Sequence, residues 1–234
     1  MFFSSAARAS DQFGGFQEFV DRGSLKPFTR DLGSILGAAS FHSGRSLGLT
    51  GFDIGARGGL QFKPSRGDTV LTGRGVKAFG LPWVQAEIGL PFSLDGFIRG
   101  ISYQGLTIAG GGLRYSILKS ADTPWTPHFL ISGVGHSVSH TQFSASHFGF
   151  NVIGSLTTPG WASPYVGAGI DHTRVVVRCV PTLDPTLVGG AATTTETRFT
   201  AGVSLRPKSF LYLHAAYTLT HGQSGADSGF GVRF

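Results

Sequence analysis

The sequence predicts an all-β chain, an antiparallel transmembrane β-barrel of about ten strands behind a short N-terminal helix, with eight or twelve strands also allowed. Three observations lead there. First, segments of about ten residues alternate apolar with small or polar residues, the period of a β-strand. Second, charged residues make up only 14% of the chain, against about 25% in soluble domains. Third, the face opposite the apolar one holds Gly, Ser and Thr with an isolated charge, where a soluble sandwich would carry Lys and Glu to meet water. A membrane barrel turns its apolar face to lipid and keeps small and polar groups in its lumen. Segments of about 9–11 tilted residues suffice to cross a bilayer. Closure is also required, because an open sheet edge leaves backbone groups unpaired in hydrocarbon.

Taken in order, the strands are expected at 47–62, 82–92, 96–104, 106–118, 127–140, 143–157, 163–177, 194–207, 209–220 and 223–234. The first puts Phe52, Ile54, Ala56, Gly58, Leu60 and Phe62 on one face and Asp53, Gly55, Arg57, Gly59 and Gln61 on the other. The second opposes Val84, Ala86, Ile88, Leu90 and Phe92 to Trp83, Gln85, Glu87 and Gly89. In the eighth, Phe199, Ala201, Val203 and Leu205 oppose Arg198, Thr200, Gly202, Ser204 and Arg206. Alternation is weaker in 96–104 and 127–140. Short turns alternate with longer links at 63–81 and 178–193. The last strand ends in SGFGVRF, with Phe230, Val232 and Phe234 on one face.

Composition narrows the function classes. The 234 residues include 36 Gly and 20 Phe but a single cysteine, Cys179, which allows neither an internal disulfide nor a cysteine metal cluster. No apolar run reaches the roughly 18 residues of a transmembrane helix. The net charge of +6 comes from arginines and lysines scattered singly, whereas nucleic-acid binding wants a clustered basic face. Scattered arginines suit an anionic lipid or lipopolysaccharide surface, so lipid is the expected partner and nucleic acid is not. At the N-terminus, Ala7, Arg8 and Ala9 fit the small-x-small pattern of an export cleavage site, but the apolar stretch before them is too short for a signal core. Residues 1–9 therefore read either as the remnant of an export signal or as an unrelated leader.

Residues 1–46 form a unit apart from the barrel at 47–234. Ser24 followed by Pro27 marks a helix start, since proline is tolerated in the first turn. Phe28, Leu32, Ile35 and Leu36 fall on one helical face. Gly33, Ser34, Gly37, Ala38 and Ala39 keep the helix thin. Two placements follow: a leader lying against the barrel mouth, or a plug narrow enough to enter a glycine-lined lumen.

Few constellations carry chemistry. Gly110, Gly111 and Gly112 lack the lysine of a phosphate loop and relieve crowding inside the barrel. His136 and His140 lie about 13 Å apart along a strand and cannot share an ion. If residues 141–142 centre a hairpin, His136 opposes His147 and Ser132 opposes Asn151, a hydrolase-like set of residue types facing the lumen. Packing is the simpler account of that set, and no catalytic residue, metal or cofactor is assigned. The alternation points Asp53, Glu87, Asp171, Glu196 and Asp227 inward, with Arg57, Arg99, Arg114, Arg198, Arg206 and Arg233. Nearly balanced charges in a narrow interior pair with one another, whereas a selective pore shows rings of one sign.

With these residues in view, 47–234 resembles a bacterial outer-membrane β-barrel. Phe230, Val232 and Phe234 resemble the terminal signal by which such chains are recognised, which implies the barrel-assembly machinery as a partner. LKPFTRDLGSILGAASFHSG followed by GFDIGARGGLQF is similar to uncharacterised barrel families with a helix before the first strand. The fatty-acid transporter family, with its N-terminal lumen plug, is a more distant likeness. None of these implies a substrate. The expected function is a non-enzymatic barrel of the outer membrane, closed or plugged, with a structural role or docking other envelope proteins. Two alternatives stand beside it: a channel or transporter gated by the N-terminal segment, and a lipid hydrolase.

Overall fold

The computed structural model describes residues 11–118 and 123–234; the suggested export remnant at 1–9 lies outside them. Ten antiparallel strands each pair with the next in sequence, and β10 returns to β1 to close the barrel. They are β1 (Phe52–Gln61), β2 (Phe79–Leu90), β3 (Leu94–Tyr103), β4 (Leu106–Ser116), β5 (Pro127–Ser139), β6 (Phe143–Leu156), β7 (Ala162–Val177), β8 (Ala191–Lys208), β9 (Leu211–Thr220) and β10 (Gln223–Arg233). Among the described residues three α-helices, α1 (Phe16–Phe19), α2 (Leu25–Gly37) and α3 (Thr69–Thr72), lie outside the sheet, and none is long and apolar enough to cross a membrane.

Three strand starts differ from the sequence expectation by three residues or more. The first strand begins at Phe52 and not at 47, because Gly48 (φ +78°) and Thr50 (φ +67°) turn the chain there. The second and eighth begin at Phe79 and Ala191, earlier than 82 and 194, because pairing with a neighbouring strand extends them beyond their alternating cores. At the seam, Phe52 and Phe234 exchange backbone hydrogen bonds of 3.0 and 2.8 Å, so the last residue completes the closure.

The outward positions form an apolar belt. Ile98, Phe148, Val166, Phe199 and Phe230 are each more than half exposed, although they are among the most apolar residues of the chain. The charged and amide side chains of the wall point inward instead, beside an apolar cluster at one end. An inside-out distribution of this kind satisfies the hydrophobic effect only if the outside is lipid, which makes this a membrane-spanning barrel.

The barrel has two distinct ends. The proximal end holds the start of β1, the end of β10 and the turns at 91–93 and 209–210. The distal end holds the tight turns at 104–105 and 221–222, with Gly105 and Gly222 at positive φ. It also holds the long links 62–78 and 178–190. Residues 11–24 sit at the distal end: the Gln12 amide N–H donates to Gln104 Oε1 at 3.2 Å, and Arg22 pairs with Asp184 at 3.2 Å. Residues 44–47 sit at the proximal end, where Gly44 N–H donates to Ser155 and Leu47 N–H to Asp95. Between them α2 runs down the lumen. Its 13 residues span about 20 Å at 1.5 Å each, some two thirds of a hydrocarbon core about 30 Å thick. The chain is threaded through its own barrel.

Candidate functional site: the occupied lumen

Helix α2 begins after Ser24, whose backbone N–H donates to Asp21 Oδ1 while its hydroxyl accepts from Asp21 N–H. This reciprocal pair fixes the entry of the chain into the lumen. Phe28, Leu32, Ile35 and Leu36, the expected plug face, are each no more than 1% exposed. At the distal end Phe28 meets Phe13, Phe16 and Phe143 with ring centroids 5.0–6.2 Å apart. Val70, Leu71, Val175 and Val177 extend this cluster into an apolar core at the distal end of the lumen. Aromatic packing of this kind contributes about 0.5–1.5 kcal/mol per pair beyond burial itself.

The thin face of α2 is a requirement of fit. A Cβ on Gly33 would stand 2.5 Å from Thr173 Oγ1, and one on Gly37 would stand 2.6 Å from Asp171 Oδ1. Any larger residue there would drive the helix off the β7 wall.

Below the apolar core the lumen turns ionic. A helix leaves its last carbonyls unpaired, with partial negative charge. The last turn of α2 contains no basic residue of its own. The wall supplies them: Arg198 donates to Gly37 O, Arg99 to Ala38 O at 3.0 Å, and both Arg57 and Arg114 to Ser40 O. Asp227 accepts from Ala39 N–H at 2.8 Å. Behind this collar sit the counter-charges. Glu87 accepts from Arg57 at 2.5 Å and from Arg114, Asp171 from Arg198 at 2.9 Å, and Asp53 from Tyr212 at 2.8 Å. The second oxygen of Asp53 lies 3.6 Å from Arg233. The Arg99 guanidinium lies 3.8 Å over the Trp83 ring, which faces inward although it is the largest apolar side chain available.

The remaining inward charges lie towards the ends. Glu196 holds Arg30 of α2 at 2.7 Å near the distal end, and Arg206 donates to Ser163 at the proximal mouth. Two carboxylates outside the expected set also belong to the lumen. Asp31 on α2 accepts from Ser65 N–H, Ser65 Oγ and Gln61, and lies 3.1 Å from His221, tying the plug to the distal loops. Asp95 holds residues 46 and 47. Alternation could not find Asp31, which lies on a helix, and Asp95 begins a strand whose alternation is weak. Nearby Asp68, beyond the strands, caps α3 by accepting from Leu71 N–H. Burial, reinforced by the charge of Asp31, pushes the Asp68 carboxyl up to about 8.

The register places His136 opposite His147 and Ser132 opposite Asn151, with the two rings 5.3 Å apart. Each residue is spoken for differently. Asn151 Oδ1 accepts from Arg198 and His147 Nδ1 contacts Thr173, while no hydrogen bond joins Ser132 to either histidine. Ser132 and His136 lie four residues apart on one strand, about 13 Å, too far for a nucleophile and its base. Gly110 gives room to the His136 ring, where a Cβ would come within 2.3 Å, and Gly112 does the same for Phe97. Among the described residues no group of three or more His, Cys, Asp or Glu is placed to hold a metal ion.

No protein-family model and no curated protein matches the sequence. Among solved structures, the chain is similar to the N-terminal β-barrel domain of Pseudomonas aeruginosa OprF, at 15% identity over 80% of this chain and 99% of that one, with a TM-score of 0.42. It is similar to the attachment invasion locus protein Ail of Yersinia pestis, at 11% identity over 80% and 99%, with a TM-score of 0.37. It is also similar to the KdgM porin, at 8% identity over 78% and 99%, with a TM-score of 0.37. These are bacterial outer-membrane β-barrel proteins, and the likeness is one of fold.

Proposed function

We propose that the protein is an integral barrel of the bacterial outer membrane whose lumen is held shut by its own N-terminal segment. Its role is structural or partner-docking in the envelope, in contact with lipid and lipopolysaccharide, and it carries no catalytic residue. The observation behind this reading is the threading of α2, fastened at the distal end by the phenylalanine cluster and Asp31 and at the proximal end by four arginines. A gate needs one weakly held end, and neither end of this helix is weakly held. The lumen charges also argue against a selective pore, because they pair across the wall instead of forming a ring of one sign. In barrels of this class the longer loops face outward and the turns at the termini face the periplasm. The cap built from residues 11–24, 62–78 and 178–190 would then be the surface offered to partners outside the cell.

The test is single-channel recording in planar bilayers. The intact protein is expected to show little or no steady conductance. A variant lacking residues 1–40 is expected to conduct or flicker while retaining β-dominated circular dichroism. Large, steady openings of one size from the intact protein would replace this proposal with the transport reading.

A further inference from the structure

Where the lumen opens at the proximal end, a cavity of about 280 Å³ lies between residues 42–47, the ends of β7 and β8, and the β8–β9 turn. Its chemistry differs from the rest of the lumen. Arg206 of β8, Arg233 of β10 and Arg45 of the link line it together with Ser163 and Ser204, and Phe210 and Phe234 form its membrane-side rim. Among the described residues no Asp or Glu side chain lines it. The acids beside it are engaged: Asp53 lies 3.6 Å from Arg233 and also meets Arg57 and Tyr212, and Asp95 holds Ser46 and Leu47.

His42 is the second and independent observation. It is 3% exposed, lines the cavity and is held rigidly by stacking on Tyr212 at 4.1 Å and 6°. Yet its Nδ1 is buried with no hydrogen-bond partner. Buried polar nitrogens are ordinarily satisfied, and an unpaired one costs about 1–3 kcal/mol. Such a nitrogen at a cationic, serine-lined cavity calls for an acceptor-rich guest.

We infer that this vestibule binds a phosphate monoester. The group offers several acceptor oxygens and up to two negative charges, matching the arginines, serine hydroxyls and imidazole that line the cavity. The size agrees: the cavity sits at the lower limit of small-molecule sites, which run from about 300 Å³ upward. It admits a phosphate with a short esterified stem and excludes an oligosaccharide or a peptide. The stem can belong to a lipid headgroup entering past Phe210 and Phe234, or to a soluble phosphate ester entering from the aqueous mouth.

The experiment uses the full chain in an uncharged maltoside detergent with ¹³C-labelled histidine Cε1, the His42 signal being assigned by its loss in His42→Gln. Inorganic phosphate and dihexanoyl phosphatidic acid are titrated separately to millimolar concentration at low salt. A saturable shift of the His42 signal is expected, weakened at least about tenfold in Arg206→Gln, the effect of losing one charge-assisted hydrogen bond. Arg206 is half-exposed at the mouth, so this variant leaves the buried ion pairs intact. Arg174→Gln, on the outer wall, is expected to bind as the parent does. Saturation by both probes supports the phosphate site from either source; saturation by the lipid alone assigns a headgroup, and by inorganic phosphate alone a soluble ester. No saturable shift with either probe, or equal weakening by Arg174→Gln and Arg206→Gln, overturns the inference.

Discussion

Glu87→Gln removes one charge from the centre of the collar while keeping the shape of the side chain. Glu87 is 1% exposed and receives Arg57 at 2.5 Å, Arg114 through both terminal nitrogens and Gln85 at 2.8 Å. As glutamine it would keep one acceptor oxygen and turn an NH₂ donor towards a guanidinium. Arg57 and Arg114 would then share Ser40 O as their common acceptor, with Asp53 3.6 Å from Arg57 and Asp95 opposite Arg114 as the remaining counter-charges. Breaking a buried ion pair by removing one partner costs about 3–5 kcal/mol. At about 1.4 kcal/mol per tenfold, that is a loss of roughly two to three and a half decades in the folding equilibrium. Urea titration in detergent, read by the gel shift between heated and unheated barrel, measures it. Arg114→Met in the same background supplies the control, because removing both partners relieves the stranded charge and should restore part of the loss. A Glu87→Gln variant within about 0.5 kcal/mol of the parent, or strictly additive losses in the double variant, would refute the collar as the element that holds the lumen together.

Three further outcomes follow from the same geometry. Gly33→Leu should displace α2 from the β7 wall, since even a Cβ there would meet Thr173 at 2.5 Å; raised bilayer conductance with an intact barrel checks it, and a silent variant counts against a snug helix. Phe234→Asp should lower the amount inserted in the membrane, because it puts a charge on the lipid face of the closing strand, and quantitative fractionation against the parent reads the change. Asp68 has a folded-state pKa near 8 against an unfolded value of 3.8, so its contribution to loop stability is complete below the unfolded value and is lost as pH rises through about 8. Hydrogen exchange of residues 68–73 should therefore accelerate between about pH 4 and pH 8 beyond the intrinsic rate and level off above that, and Asp68→Asn, which keeps the cap acceptor, should abolish that excess.

The barrel wall was legible in the sequence because its information is local. Side chains alternate at period two on every strand, so Asp53, Arg57 and Gln61 had to share a face and Ile54 and Leu60 the other, whatever the neighbours. Hairpin register is nearly as local: a turn centred on 141–142 was enough to set His136 against His147. For α2 the sequence determined an apolar face and a thin face, but not what covers them, since the same pattern suits a helix on a surface and a helix in a lumen. Only closure decides that. It sets the lumen width and brings β1, β3, β4 and β8, which are not all neighbours in the sheet, onto one helix end. Arg198 meets Gly37 across 161 residues of sequence, and no periodicity reaches that far. The same holds for His42, an unremarkable residue in a link, which acquires a purpose only where the β7, β8 and β10 ends converge. Faces are written residue by residue, whereas the partner of a buried charge is chosen by which distant strands the closed wall sets opposite it.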